Sequence, residues 1–484
     1  MADILLANSY FLYHDTKEYK NMNLYAPLGT LYAASYLKHK GYEVSLFDTM
    51  LAKSEEELIS ELKKHKPKIF VVYDDVFNYL TKMCLTKMRE ATFKMSRIAK
   101  DYGCKVIVSG SDSVDHLEKY FNNKADYAIC GEGEITLGEI ADFLIGNKSK
   151  PPEEINGLAY TNNGEIHKTP VRTVLKNPDD IPFPLRELID FERYRELWIK
   201  HHGYFSMNLV TTRGCPFHCN WCAKPIYGQV YNSRSPENVV KEIKFIKETY
   251  APDHIWFCDD IFGLKPGWLT NFDEIINSEN TKIPFKCLSR ADLLLKEDNV
   301  NHLANAGCES IWIGAESGSQ KILDAMDKGI KIEQIYSARK LLKEKNINTC
   351  FFLQLGYTGE TKDDIELTLE MIRELMPEDI GISVSYPLPG TKFYDRVISQ
   401  MGEKKNWFDS ADFEMMFEGE YTTQFYRTLH KYIHKQFRSR QIIKEPFRYY
   451  KASWKLPYYL AGWFLLGNRT KKMFVTEKRK KDRV

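Results

Sequence analysis

Short apolar runs and helix-period segments alternate along the first 145 residues. Five runs predict strands: residues 3–8 (DILLAN), 43–48 (EVSLFD), 68–75 (KIFVVYDD), 105–110 (KVIVSG) and 125–130 (ADYAIC). Between them, residues 29–40 and 54–65 space their apolar positions as one face of a helix. Strands alternating with helices predict a parallel sheet covered on both faces. Ligands of such sheets sit at the carboxyl ends of the strands. There the pattern gathers Asn8, Asp48, Asp74, Ser109 to Ser113 and the run Gly131-Glu132-Gly133-Glu134. Glu132 and Glu134 are expected either to cap the following helix, where carboxylates are favourable, or to touch a ligand.

Residues 146–204 break the rhythm and read as a connector. They are rich in Lys, Pro and Asn, contain a hairpin-like GLAYTNNGEIHKTP turning at Asn-Asn-Gly, and run on through DDIPFPLREL. From about Met207 the alternation returns: MNLVTTRG, HIWFCDD, FKCLSRAD, SIWIGAESG, TCFFLQLGY and GISVSYPLPG are candidate strands separated by helical patterns. These units predict a partial (β/α)6 TIM-type barrel over residues 205–400, with its active site at the strand C-termini. Residues 401–484 predict a helical, aromatic and basic C-terminal region.

Composition narrows the function classes. With 68 Lys and Arg against 66 Asp and Glu, the net charge of +2 leaves no field for a polyanion, so no nucleic-acid partner is expected. Ten cysteines in 484 residues are too sparse for a disulfide scaffold. MADILLANSYFLY has no basic flank ahead of an apolar core, so a cytoplasmic chain with reduced, metal-competent thiols is expected. No apolar run reaches the roughly 20 residues of a membrane span.

Cys215, Cys219 and Cys222 stand in RGCPFHCNWCAK, directly after the first barrel strand. Thiolates are soft ligands for zinc or iron–sulfur clusters. Structural zinc takes four ligands in closely spaced pairs, and no second CxxC pair exists here. His218 lies inside the loop, with little freedom to converge with both neighbouring thiolates. Three thiolates on a cubane leave one iron open to a ligand. The other seven cysteines sit mostly in apolar contexts and read as small buried hydrophobes.

CxxxCxxC with Trp221 before its last cysteine resembles the signature of the radical S-adenosylmethionine (SAM) superfamily. The resemblance implies a 4Fe-4S cluster on the three cysteines, SAM chelated by the open iron, and reductive cleavage of SAM to a radical that abstracts hydrogen from substrate. It also implies an external electron donor such as flavodoxin or ferredoxin. For the rest of the SAM site it points to Asp259 and Asp260 after the second barrel strand, on the methionine amino group, where the family more often has Gly-Gly-Glu. Arg290, with Asp292, ends the third strand and suits the methionine carboxylate. Glu316 in GAESGS suits the ribose or amino group. Gly356 in GYTGET and Pro389 in PLPGT match two further positions of the cobalamin-linked branch, with Tyr357-Thr358 where that branch favours an apolar residue and proline. Asp324 and Lys328 are expected on a helix surface.

The N-terminal segment, with APLGTLYAASYLKHKGYEVSLFD and ADYAICGEGEITLGEIADFL, resembles the Rossmann-like cobalamin-binding domain that precedes the barrel in this branch, which includes class B methyltransferases and anaerobic magnesium-protoporphyrin ester cyclases. The fold class expected is therefore α/β. It comprises a Rossmann-like domain (1–145), a connector (146–204), the radical SAM barrel (205–400) and a helical region (401–484). Departures lie at Tyr73-Asp74-Asp75, which either crowds a corrin ring or hydrogen-bonds its amides, and at Ser109 to Ser113. No DxHxxG motif is present. The expected reaction is modification of an unactivated carbon on a small-molecule or lipid-like substrate, foremost methyl transfer through cobalamin. The alternatives are cobalamin-independent cyclisation or rearrangement with the first domain as a substrate lid, and a non-catalytic iron–sulfur or zinc module. The tail at 456–484, with Trp463 and Lys478–Lys481, reads either as a packed helix or as a peripheral membrane contact.

Overall fold

A computed structural model describes residues 2–146 and 150–481, with side chains as far as 476. The chain forms two compact units. One comprises Met1–Pro216, Ala223–Cys287 and Asn406–Asp412; the other comprises Phe217–Cys222, Leu288–Lys405 and Phe413–Val484.

The first unit opens with a seven-stranded sheet. Its strands are β1 (Ile4–Ala7), β2 (Val44–Leu46), β3 (Ile69–Tyr73), β4 (Lys105–Ser109), β5 (Tyr127–Ile129), β6 (Leu158–Asn162) and β7 (Glu165–Lys168), in the order β2-β1-β3-β4-β5-β6-β7. The first five are parallel. The expected hairpin forms β6 and β7 around Asn163 and Gly164, both at positive φ, and adds antiparallel to β5. Alternation of side chains explains the two-sided burial. Leu5, Ala7, Phe70, Val72, Val106 and Val108 belong to one core cluster. Ile4, Leu6, Ile69, Val71 and Ile107 belong to the other. Helix α1 (Leu28–His39) lies on the second face through Ala33, Ala34 and Leu37, and α2 (Glu134–Ile145) joins it through Leu137, Ile140 and Ala141.

The same unit holds β8 (Ser206–Leu209), β9 (Thr212–Arg213), β10 (Asn232–Ser233) and β11 (His254–Phe257). It also holds the first three residues of β12 (Phe285–Ser289), whose last two belong to the second unit. β8, β11 and β12 pair in parallel, while β9 and β10 pair antiparallel. A buried ion cluster fixes the end of β8. Glu242, on helix α3 (Pro236–Tyr250), takes Arg186 at 2.9 Å and Arg234 at 2.5 Å, and the two guanidinium groups donate to the carbonyls of Asn208 and Val210.

In the second unit β13 (Cys308–Glu316), β14 (Asn348–Leu355) and β15 (Asp379–Val384) are parallel. Helix α4 (Thr423–Lys444) packs on α5 (Leu456–Lys481). The expected α/β architecture, a parallel-sheet domain followed by a partial barrel and a helical C-terminal region, is the one present.

Candidate active site

The cysteine loop 217–222 of the second unit is anchored at its middle. Asn220 is buried. Its backbone N–H donates to the Met326 carbonyl at 3.0 Å, and its carbonyl accepts from Phe393 N–H at 2.9 Å. Its side-chain amide donates to Ala325 O and Asp327 Oδ2, while Oδ1 accepts the Tyr357 hydroxyl at 2.7 Å. Tyr357, the departure noted in GYTGET, stacks on Phe393 with ring centroids 4.9 Å apart. Gly356, beside it, stands at φ 73 and donates its N–H to Glu360, whose carboxyl burial pushes up to about 8. Pro389 is half-buried in the loop after β15.

Around this loop the unit gathers charge. Arg290 stacks over Phe217 at 3.6 Å, pairs with Asp292 at 2.9 Å and donates to the Lys328 carbonyl. Glu316 ends β13 in a left-handed conformation, φ 59, at a register shift between Gly314 and Glu316. Its carboxylate takes the Lys328 ammonium at 2.7 Å, both side chains buried. A Cβ on Gly314 would stand 2.6 Å from both charged groups, so glycine makes the pair possible. Burial opposes the charge on Lys328, but Glu316 and the Cys219 thiol outweigh it and hold the ammonium above its ordinary range. The expected helix-surface place is thus wrong for Lys328. The helix Gln320–Ala325 ends before it, and the turn at Asp327 (φ 51) carries the side chain inward. Asp324 is exposed, as expected.

In the first unit the approach to Cys215 is equally constrained. Gly214 stands at φ 83, where a Cβ would run into the Val230 carbonyl oxygen. Arg213 is buried and shared by Glu132 and Glu134, the latter at 2.7 Å, with Tyr32 and Tyr227 each 5.6 Å from its guanidinium carbon. Neither glutamate caps α2 with its side chain: the residue at the cap is Gly133. Both carboxylates instead fasten the strand that leads to Cys215. Burial raises Glu132 against the pull of Arg213. Arg213 has no local mark in the sequence, since its partners lie about 80 positions away.

The paired acids after β11 separate. Asp259 is buried; its Oδ1 accepts from Thr211 N–H and the Thr212 hydroxyl, while Oδ2 has no partner. Burial lifts this carboxyl to about 6. Asp260 is exposed and pairs with Lys82 at 2.6 Å. Of the two, Asp259 is the orphaned acceptor suited to an ammonium group.

At the carboxyl ends of β1 and β3, where the order β2-β1-β3 reverses direction, Asp74 accepts from Ser9 N–H at 2.9 Å. Asp75 accepts from Gly29 N–H and Phe77 N–H. The two carboxylates thus turn inward onto the domain's own amides, and burial raises them to about 7 and about 6. Asn8 Nδ2, Ser9 Oγ and Tyr10 OH are buried there without partners. Asp48 lies elsewhere, on the Tyr194 hydroxyl. Six of the seven remaining cysteines are buried and Cys130 is half-buried.

Residues 209–372 match the radical SAM superfamily. The chain is 26% identical over 433 residues to an uncharacterized methyltransferase of Pyrococcus horikoshii, covering 88% of this chain and 90% of that protein. It is 25% identical to the anaerobic magnesium-protoporphyrin IX monomethyl ester cyclase of Rubrivivax gelatinosus, covering 79% and 67%. In structure it is similar to OxsB with aqua-cobalamin bound, at a TM-score of 0.74 and 19% identity over 96% of this chain and 72% of that one. It is also similar to TsrM from Kitasatospora setae with cobalamin and a [4Fe-4S] cluster bound, at a TM-score of 0.68 and 18% identity over 83% and 78%. The fold is thus that of the OxsB and TsrM structures, and the cysteine triplet falls inside residues 209–372, the segment that matches the radical SAM superfamily.

Proposed function

We propose that this chain is a cobalamin-dependent radical SAM enzyme that transfers a methyl group to an unactivated carbon of a small molecule. The observation that carries the proposal is the clamped cysteine loop, with Asn220 anchored on three sides and the Arg290 and Lys328 cations fixed within the same unit. Three soft thiols, Cys215, Cys219 and Cys222, suit a 4Fe-4S cluster with one iron left open. Asp259 Oδ2 is an unpartnered acceptor for the methionine ammonium of SAM. Arg290 supplies a planar donor for its carboxylate, and Glu316 supplies an acceptor for the ribose or amino group. Asn8 Nδ2, Ser9 Oγ and Tyr10 OH offer unpartnered polar groups at the crevice where a parallel sheet takes its cofactor, and they fit the amide-rich rim of a corrin.

When bound, these groups supply reductive cleavage of SAM and a transferable methyl; the chain binds, orients and excludes water. An external reductant such as flavodoxin or ferredoxin completes the system. Relatives named as a cyclase and as 4'-phospho-dehydrooxetanocin synthase motivate a second reading, ring closure or rearrangement at the same site. Corrinoid content decides the first point: the protein, produced with cobalamin and purified without oxygen, is extracted and its corrinoid quantified. Near one corrinoid per chain is the expected result. A cobalamin-replete preparation with full iron and no corrinoid would overturn methyl transfer by this route.

A further inference from the structure

Seven large apolar side chains among the described residues are more than 60% exposed, and six of them fall within residues 447–465. They are Phe447, Tyr450, Trp454, Tyr458, Phe464 and Leu465, with Phe447 at 93% and Trp454 at 76%. At about 200 Å² for an aromatic side chain, they present on the order of 800 Å² of largely apolar surface. Singly exposed apolar side chains are ordinary on a protein surface, whereas this concentration within residues 447–465 marks an interaction surface.

The helix pattern explains why they stay uncovered. The first half of α5, LPYYLAGWFLLG, is apolar on every side. One face packs on α4: the close approach of Gly462 to Lys435 and of Gly467 to Tyr432, and Arg440 over Trp463 at 5.3 Å, mark it. Phe464 and Leu465 point away from that contact, and Tyr458, at its edge, is exposed while its ring lies 3.1 Å from the Lys435 ammonium. A helix that is apolar all round needs an apolar environment on both sides, and the chain supplies one.

Charge identifies the other. Residues 443–472 contain seven Lys and Arg and a single acid, Glu445. Lys451 and Lys455 are exposed beside the aromatic rings, with ammonium groups 6.0 Å from Tyr450 and 5.1 Å from Trp454. Tyr and Trp next to Lys is the composition of a membrane–water interface, and a basic surround selects anionic headgroups. The helix is not a membrane span: among the described residues no helix is long and apolar enough to cross one. We infer that residues 443–472 form a docking surface for an anionic lipid bilayer, which the aromatic side chains enter to the depth of the headgroups while the basic residues lie on the phosphates. The inference is independent of the reaction the enzyme performs. It places that reaction at a membrane face, within reach of lipid-like substrates.

The test is partition of the intact protein onto sedimented vesicles of phosphatidylcholine with or without phosphatidylglycerol, alongside its mass in solution by light scattering. Binding to the anionic vesicles is expected, weakened by salt. The F447S/W454S/F464S variant should lose it, and K451E/K455E should weaken it at least about tenfold. Because partition is read without turnover, it stands or falls separately from the radical SAM chemistry. Three results would overturn the inference. One is no binding to either vesicle. Another is equal binding to both. The third is a dimer that the triple-serine variant dissociates, which would make a second copy of the chain the occupant.

Discussion

Replacing Arg213 with methionine keeps most of the side-chain volume and removes the cation that Glu132 and Glu134 share. Both carboxylates are buried, at 5% and 2% exposure, so neither recovers water when its partner is lost. Breaking a buried ion pair from one side costs about 3–5 kcal/mol, because the remaining charge is stranded. Here Glu132 has an escape, since it can take up a proton. Burial already raises Glu132, and losing Arg213 raises it further. A carboxyl whose folded pKa lies above its unfolded value keeps its proton longer in the folded state. Stability then falls as pH rises through that window, by about 1.4 kcal/mol per pH unit. The penalty should therefore be small near about pH 5 and approach its full value near about pH 8. Urea unfolding of the cluster-free chain, followed by tryptophan fluorescence at both pH values, measures it. The R213M/E132Q/E134Q variant, with no charge left to strand, should recover most of the loss at the higher pH. An R213M penalty that is equal at both pH values, or that the triple variant retains in full, would refute the reasoning.

Three further outcomes follow from the same geometry. Tyr357→Phe leaves buried Asn220 Oδ1 without its hydroxyl donor, at a cost of about 1–3 kcal/mol; denaturant midpoints should fall and iron should leave faster under anaerobic chelation, and neither changes if the clamp is idle. Gly214→Ala forces φ 83 on a residue with a Cβ and drives it into the Val230 carbonyl, so less iron should be retained per chain after reconstitution; full iron content would show that the turn tolerates a side chain. Asp259→Asn should behave oppositely on its two readouts. Burial holds the carboxyl at about 6 in the folded chain, above the ordinary aspartate value of about 3.9, so it costs the folded chain stability as pH rises between these values. The variant should be more stable than the parent above about pH 6, by up to about 3 kcal/mol, yet bind SAM more weakly by calorimetry. A variant that is less stable at alkaline pH and binds SAM normally removes Asp259 from the site.

The central strands β1, β3 and β4 were legible because they are buried on both faces and so read as continuous apolar runs bounded by polar residues, as in residues 68–75 and 105–110. The cysteine triplet was legible because its ligands are local. What escaped the sequence depends on chain segments far apart. Lys328 follows a helical stretch and reads as its continuation; its burial depends on a register shift in β13 and on Gly314, both invisible in ILDAMDKG. Arg213 and Asn220 look like ordinary loop polar residues until their partners at 132, 134, 326 and 357 come into place. Tyr357, a departure from the family pattern, has a structural reason in the Asn220 clamp. Asp259 and Asp260, adjacent and alike in sequence, are divided by one turning inward and the other outward to Lys82.

The central claim is tested most directly by SAM cleavage in the anaerobically reconstituted protein, with a low-potential reductant, beside the C215A/C219A/C222A variant. The expected result is about four irons per chain in the parent and SAM cleaved to 5′-deoxyadenosine, with both lost in the variant. Cleavage that survives removal of all three cysteines, or a parent that holds iron and leaves SAM intact, would contradict the assignment of the site.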